Sequence, residues 1–348
     1  AKVRINQIIP RLPGLVFLMK LIAFKTERVA RVVFTVLLIS LACQSFENPL
    51  VFGQASTAIT HTTGVGDLGT RTTTQGRTIQ ITGGTRSDNG TGPNLFHSFE
   101  QFSVGHGDTA QFLNTTPSIS TDNILARVTG TSHSNIFGTI DTTSYPRANL
   151  FVMNPAGIVF GPNATLTVSG SVAFTTADYL RLTEATGSQA GIFHAHTSLP
   201  NILTSSPVTA FGFLGSDPAA IAVQGSKLIV ESGHSISLVG GNHSFTFTHP
   251  DTRLPVSVPK GVTVIGGRLK APDGQIKIAS VASPGEILSE NLGKVANLNR
   301  QSYVTLGTVQ ISQQSHIETS GERGGRILVR GGHLLVDEST ISANTKAS

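Results

Sequence analysis

The chain has no tryptophan, and only 13% of its 348 residues are charged. Its single cysteine is Cys43, near the start. The body that follows can therefore carry neither a disulfide nor a thiolate metal site, and has to hold together by packing and hydrogen bonding. So few charges leave little material for solvated helix faces, while abundant Gly, Thr, Ser and Asn suit strands and turns. A nucleic-acid footprint is missing as well. The formal net charge is +5, but residues 1–55 hold seven Lys/Arg against two Asp/Glu, which accounts for all of it. The remaining residues carry 18 of each sign, with no basic cluster to meet phosphates.

What the first 55 residues do contain reads as an export leader. Val32–Ala42 is an apolar run behind basic residues, about half the ~20 residues that span a bilayer. A basic region, a short apolar region and a small-residue site make a secretory signal peptide. Cleavage is expected after Ala55, at Gly53-Gln54-Ala55. Cleavage after Ala42 would instead put Cys43 first and open it to lipidation, but Ser40 stands where the lipoprotein pattern places leucine. Met19 is a candidate start.

From Thr57 onward no helical period is found. Short alternating runs such as Thr78–Ile81, Lys227–Val230, Ser235–Val239, Val262–Ile265, Gln275–Ala279 and Arg326–Val329 are separated by Gly, Asn, Asp and Pro. In the last hundred residues the strand-turn unit recurs at a spacing of roughly 20 residues, the mark of a solenoid. One rung cannot bury its own apolar side, but stacked rungs bury it as a column and satisfy the backbone through parallel ladders. The glycine-separated repeat favours this all-β solenoid over a β-sandwich. The sequence stops in mid-pattern without a polar cap, so a longer natural protein is expected, with 301–348 the start of a repeat stalk.

Three segments are more specific. They are Gly92–Val104 (GPNLFHSFEQFSV), Ile124–Ile140 with Ile124-Leu125-Ala126-Arg127-Val128 at its head, and Ala148–Ala164 (ANLFVMNPAGIVFGPNA). With Ala279–Glu286 they closely resemble the filamentous-haemagglutinin N-terminal domain, the secretion domain of two-partner secretion exoproteins. The resemblance covers about Ile59 to Asn299, within an expected domain at 56–300. It implies a right-handed, single-stranded parallel β-helix with an N-terminal cap. It also implies recognition in the periplasm by the POTRA domains of an outer-membrane β-barrel, export of the chain unfolded, folding outside the cell, and a place in a secreted or surface-bound adhesin. Host or surface ligands would be met through a C-terminal region not in this sequence. No cofactor is implied.

The family motif N-P-N-G-I stands here as Asn154-Pro155-Ala156-Gly157-Ile158, with Ala156 replacing the usual Asn. Its residues also make physical sense as a corner: Asn-Pro starts a turn, Pro155 fixes φ, and Gly157 is free to take a positive φ. It is expected to act as turn and partner-recognition motif. Asn94, Phe96, Phe99 and Phe102 are expected to form the cap, the three rings closing the end of the apolar column. The rival reading is a β-helix enzyme acting on acidic polysaccharide, which needs clustered carboxylates. Asp108, Asp122, Asp141, Asp178 and Asp217 are instead dispersed. His194-Ala195-His196 offers two imidazoles on one strand face, with no third metal ligand at suitable spacing. No catalytic or metal site is expected.

Overall fold

The computed structural model describes residues 57–184, 189–249, 252–295 and 304–345. The expected leader, its expected cleavage site and Cys43 lie outside the described residues. The chain coils seven times among those residues, each coil laying one strand in each of three parallel sheets. Sheet 1 holds Asn94–Ser103, Asn123–Val128, Asn149–Met153, Val172–Thr175, Ser235–Gly240, Gln275–Ser280 and Arg326–Arg330. Sheet 2 holds Ser134–Ile136, Ile158–Phe160, Ile221–Gln224, Val262–Ile265, Thr308–Ser312 and His333–Val336, with Val104 bridging Ile136 at its start. Sheet 3 holds Thr109–Phe112, Thr139–Asp141, Thr165–Thr167, Lys227–Ile229, Arg268–Lys270, His316–Glu318 and Thr340–Ser342. This is the parallel β-helix that the alternating runs predict.

Register explains the core. In sheet 1, Ile124, Leu150, Val172, Ile236, Ile276 and Ile327 lie opposite one another from coil to coil. In sheet 2 the row is Ile158, Ile221, Val262 and Val309. In sheet 3 it includes Ala110, Ile140, Leu228, Leu269 and Ile317. These inward rows form one continuous column. Each fully buried aliphatic side chain adds about 1.5–3 kcal/mol, and the ladders between coils satisfy the backbone.

The repeat is less uniform than its last hundred residues suggest. Leu150 pairs with Val172, 22 residues on, but Val172 pairs with Ile236, 64 residues on. The difference is an excursion after Thr175. Tyr179–Thr183, Gln189–His194 and Val208–Phe213 form an antiparallel sheet outside the column, joined by Gly285–Leu288 and Lys294–Val295 from the sixth coil. This side sheet covers the outer face of sheet 1 through a second apolar cluster that includes Leu125, Met153, Phe193, Phe211, Phe213 and Ile287. A hairpin, Phe245–Thr248 with Pro255–Val258, covers the outer face of sheet 2, where Phe137, Val159, Ala222, Phe247 and Val258 meet. Sheet 3 keeps its outer face in solvent, with Arg268 and Lys270 both reaching Glu318 at 2.7 and 3.7 Å.

The N-terminal cap is antiparallel. Ala58–His61 runs against Asn94–Ser103, and Thr70–Gln75 pairs with Thr78–Gly83, which in turn lies beside Thr109–Phe112. Two of the three sheets thereby have their first edge covered, the usual remedy for unpaired strand edges.

Candidate functional site

The Asn154–Ile158 corner joins sheet 1 to sheet 2 in the third coil. The Gly157 N–H donates to the Asn154 carbonyl at 3.1 Å, closing a β-turn with Pro155 and Ala156 at its centre. The Asn154 side chain is fully buried. Its Oδ1 accepts from the Ala156 N–H at 3.0 Å, and its amide donates to the Ser132 carbonyl at 3.1 Å and Ser134 Oγ at 2.9 Å. The asparagine thus shapes its own turn and ties it to the preceding coil. Gly157 sits at φ +120°, and a Cβ there would lie 2.5 Å from the Phe245 ring. Ile158 points into the column, and only Pro155 and Ala156 are partly exposed. Position 156, where the family pattern has Asn, contributes a backbone N–H and a half-exposed methyl group.

The covering hairpin extends this corner. Phe245 packs on Gly157 and lies 4.9 Å from the His133 ring, and Phe247 lies 6.0 Å from it. Burial pushes the His133 pKa below its ordinary value. Beside it runs a groove of about 360 Å³ lined by Gln101, Ser103, His133, Asn135, Phe137 and Thr248, among others. Asn135 Oδ1 is buried there without a partner among the described residues.

The expected cap residues separate into two roles. Phe99 and Phe102 pack inward against Phe112 in the column, with ring centroids 6.3 Å from it and 5.1 Å from each other. Phe96 does not join them. It faces outward, edge-on to Phe193 of the side sheet at 5.1 Å. The pairing with Ala58–His61 skips Glu100, and this bulge reverses the in–out alternation. Leu95, His97 and Phe99 point inward before it, Phe102 and Val104 after it. The three-residue spacing of the rings is the product of that phase change.

Asn94 heads a ladder between coils. Its amide donates to the Thr204 and Ser206 carbonyls at 2.7 and 2.9 Å, and its Oδ1 accepts from Asn123 Nδ2 at 2.8 Å. Asn123 Oδ1 accepts from Asn149 Nδ2 at 3.0 Å, and Asn149 Oδ1 accepts from the Ser171 N–H at 3.0 Å. The sequence reading assigned Arg127 no role, yet it is the largest fully buried side chain among the described residues. It lies between sheet 1 and the side sheet. It donates to Ser98 Oγ at 2.9 Å, the His194 carbonyl at 2.6 Å and the Gly66 carbonyl at 2.9 Å, with its guanidinium 5.2 Å from the Phe193 ring centre. Desolvation lowers its pKa to about 10. One cation thereby joins the cap, the first coil and the side sheet.

The carboxylates do not gather. Asp108 pairs with Arg77 at 3.1 Å, Asp178 with His196 at 3.2 Å, and Asp217 with His243 at 2.5 Å. Asp141 accepts from Gln111 at 3.0 Å. His194 turns to the Pro200 carbonyl at 2.9 Å, so the two imidazoles of the His194–His196 pair serve separate partners. Among the described residues no three His, Cys, Asp or Glu side chains are grouped as metal ligands.

Comparison with known proteins addresses the chain as a whole. The model of the family described as TPS secretion domain matches residues 57–329, from the cap into the seventh coil. No curated protein matches. Among solved structures, the HMW1 secretion domain from Haemophilus influenzae is similar at 16% sequence identity, over 82% of this chain and 73% of that one, with a TM-score of 0.33. The β-helical fold of the present chain stands on its own strand pairing.

Proposed function

We propose, for a chain that belongs to the family of TPS secretion domains, that it is the targeting head of a larger adhesin-like exoprotein. The family itself is one of two-partner secretion targeting, in which an exoprotein crosses the outer membrane through a transporter partner. In the reading advanced here, residues 1–55 direct the chain to the periplasm, POTRA domains of the partner barrel bind it while extended, and the β-helix forms outside the cell. The observation that carries the reading is the reach of the family match, which takes in the cap and the coils together.

Two physical features support it. Downstream of Cys43 the chain has no cysteine, so no covalent cross-link opposes threading. Coil stacking supplies apolar burial step by step, a source of free energy that needs no nucleotide. Asn154, Gly157 and Ile158 are buried in the folded coil. Recognition of this motif by the partner therefore belongs to the chain before it folds, and the corner is its second, later use.

Export into the medium, measured with the partner barrel present and absent, tests the proposal. Secretion should require the barrel, and export independent of it would overturn the assignment. With the barrel present, Asn154→Ala and Gly157→Ala should lower secreted protein several-fold while periplasmic synthesis continues. Gly225→Ala, at another corner with positive φ, separates recognition from folding, because it strains a turn outside the motif. Equal losses in all three variants would remove the recognition role from the motif.

A further inference from the structure

Side chains on the outer face of sheet 1 also stack in register. One row runs Phe151, Ala173, Ser237, Lys277. Its middle members are small, so the row dips between an aromatic ring and a long cationic stem. Phe211 of the side sheet and the Ser289–Glu290 segment wall the dip on the other side, leaving a concavity of about 190 Å³. That is the space of about six waters, enough for one sugar ring.

The groups facing this space are unbalanced. Ser237 is only 8% exposed, lines the concavity, and its hydroxyl has no hydrogen-bond partner among the described residues. Ser235 lines it too, its hydroxyl likewise unengaged. Lys277 is partly buried and donates to a single acceptor, the Ser289 carbonyl at 2.9 Å. It makes no ion pair among the described residues. Desolvation lowers its pKa; the exposed Glu290 at the rim acts in the opposite sense, and Arg326 adds positive charge. A partly desolvated ammonium that makes no direct ion pair, with Glu290 held at the rim, favours an incoming anion. The partly exposed Phe151 ring, backed by the buried Phe211, offers apolar surface of the kind that receives the C–H face of a pyranose.

We propose that this concavity binds a carboxylate-bearing monosaccharide, a uronic acid, with Lys277 taking the carboxylate and the Ser235 and Ser237 hydroxyls taking ring hydroxyls. The assignment is independent of the targeting role.

Calorimetric titration of the whole chain with glucuronate tests it, with glucose and acetate as controls. Glucuronate should bind saturably, and each control at least about tenfold more weakly, since each lacks one half of the recognition. Lys277→Met, which keeps the stem, should weaken glucuronate at least about tenfold. Ala173→Leu, which fills the floor and leaves the cation, should do the same. Glu290→Gln should strengthen binding. Glucose or acetate equal to glucuronate, or an unchanged affinity in Lys277→Met, would overturn the site. Should Lys277→Met fail to fold, the surface variant Glu290→Gln decides alone: tighter glucuronate binding supports the proposal and unchanged binding refutes it.

Discussion

Arg127 and His97 are both fully buried, and each sets a condition on stability. Removing the Arg127 guanidinium leaves the Ser98 hydroxyl and the Gly66 and His194 carbonyls without their donor. The release of a buried charge offsets part of that loss, so Arg127→Met should destabilise by about 2–4 kcal/mol in urea unfolding. His97 lies inside the cap against Phe112 at 5.4 Å, with Nε2 unpartnered among the described residues and Nδ1 3.2 Å from Thr70 Oγ1. Desolvation holds its pKa at about 3, with the Arg86 charge adding to the effect, against 6.5 for an ordinary imidazole. Between those values the unfolded chain binds the extra proton, so stability must fall as pH drops below 6.5. The slope from this residue is up to about 1.4 kcal/mol per pH unit. His133 and His194, also depressed by burial, act in the same direction. His97→Leu should flatten most of the acid slope while changing stability little at pH 8, which denaturation midpoints at several pH values will show.

At the scale of strands and ladders, much was legible beforehand. Thr78–Ile81, Lys227–Val230, Ser235–Val239 and Gln275–Ala279 fall on strands because alternation marks a half-buried strand wherever it pairs. The Asn154 turn was legible because Asn, Pro and Gly encode a corner locally. The side sheet was not, since antiparallel strands outside the column alternate like those within it. Nor was Arg127, which stands in an outward position of its strand and is buried because the distant Gly66 and His194 segments cover it. Phe96 was misread because a bulge at Glu100 leaves no mark in the pattern. The asparagine ladder escaped because Asn94, Asn123 and Asn149 are 29 and 26 residues apart, so no fixed period links them. That ladder carries its own prediction. Asn94→Ala frees the Thr204 and Ser206 carbonyls and costs about 1–3 kcal/mol. Limited proteolysis should then cut near residues 204–206 faster, before any coil is lost.

For the whole molecule, a body without cysteine and the proposed transit in an extended state make one joint prediction. Thr139 and Thr165 lie opposite each other on the exposed face of sheet 3, with hydroxyls 2.9 Å apart. Cysteines placed at both positions could form a bridge closing a loop of 26 residues, worth about 3 kcal/mol of added stability in the folded chain. Formed in the periplasm, the same bridge should arrest export, and a reductant should restore it. Normal secretion of the oxidised double variant would rule out extended passage.

The side sheet has a consequence in time. The Tyr179 hydroxyl donates to Glu286 Oε1 at 2.8 Å, and Arg181 reaches the same carboxylate at 3.3 Å, from partners 107 residues apart in the Tyr179 case. On the proposed extended passage, a chain emerging end-first would deliver one member of that stitch long before the other. The early coils can settle while the stitch waits open, and its closing then clasps the fourth coil to the sixth. From that moment a backward slip of the chain has to undo three coils together.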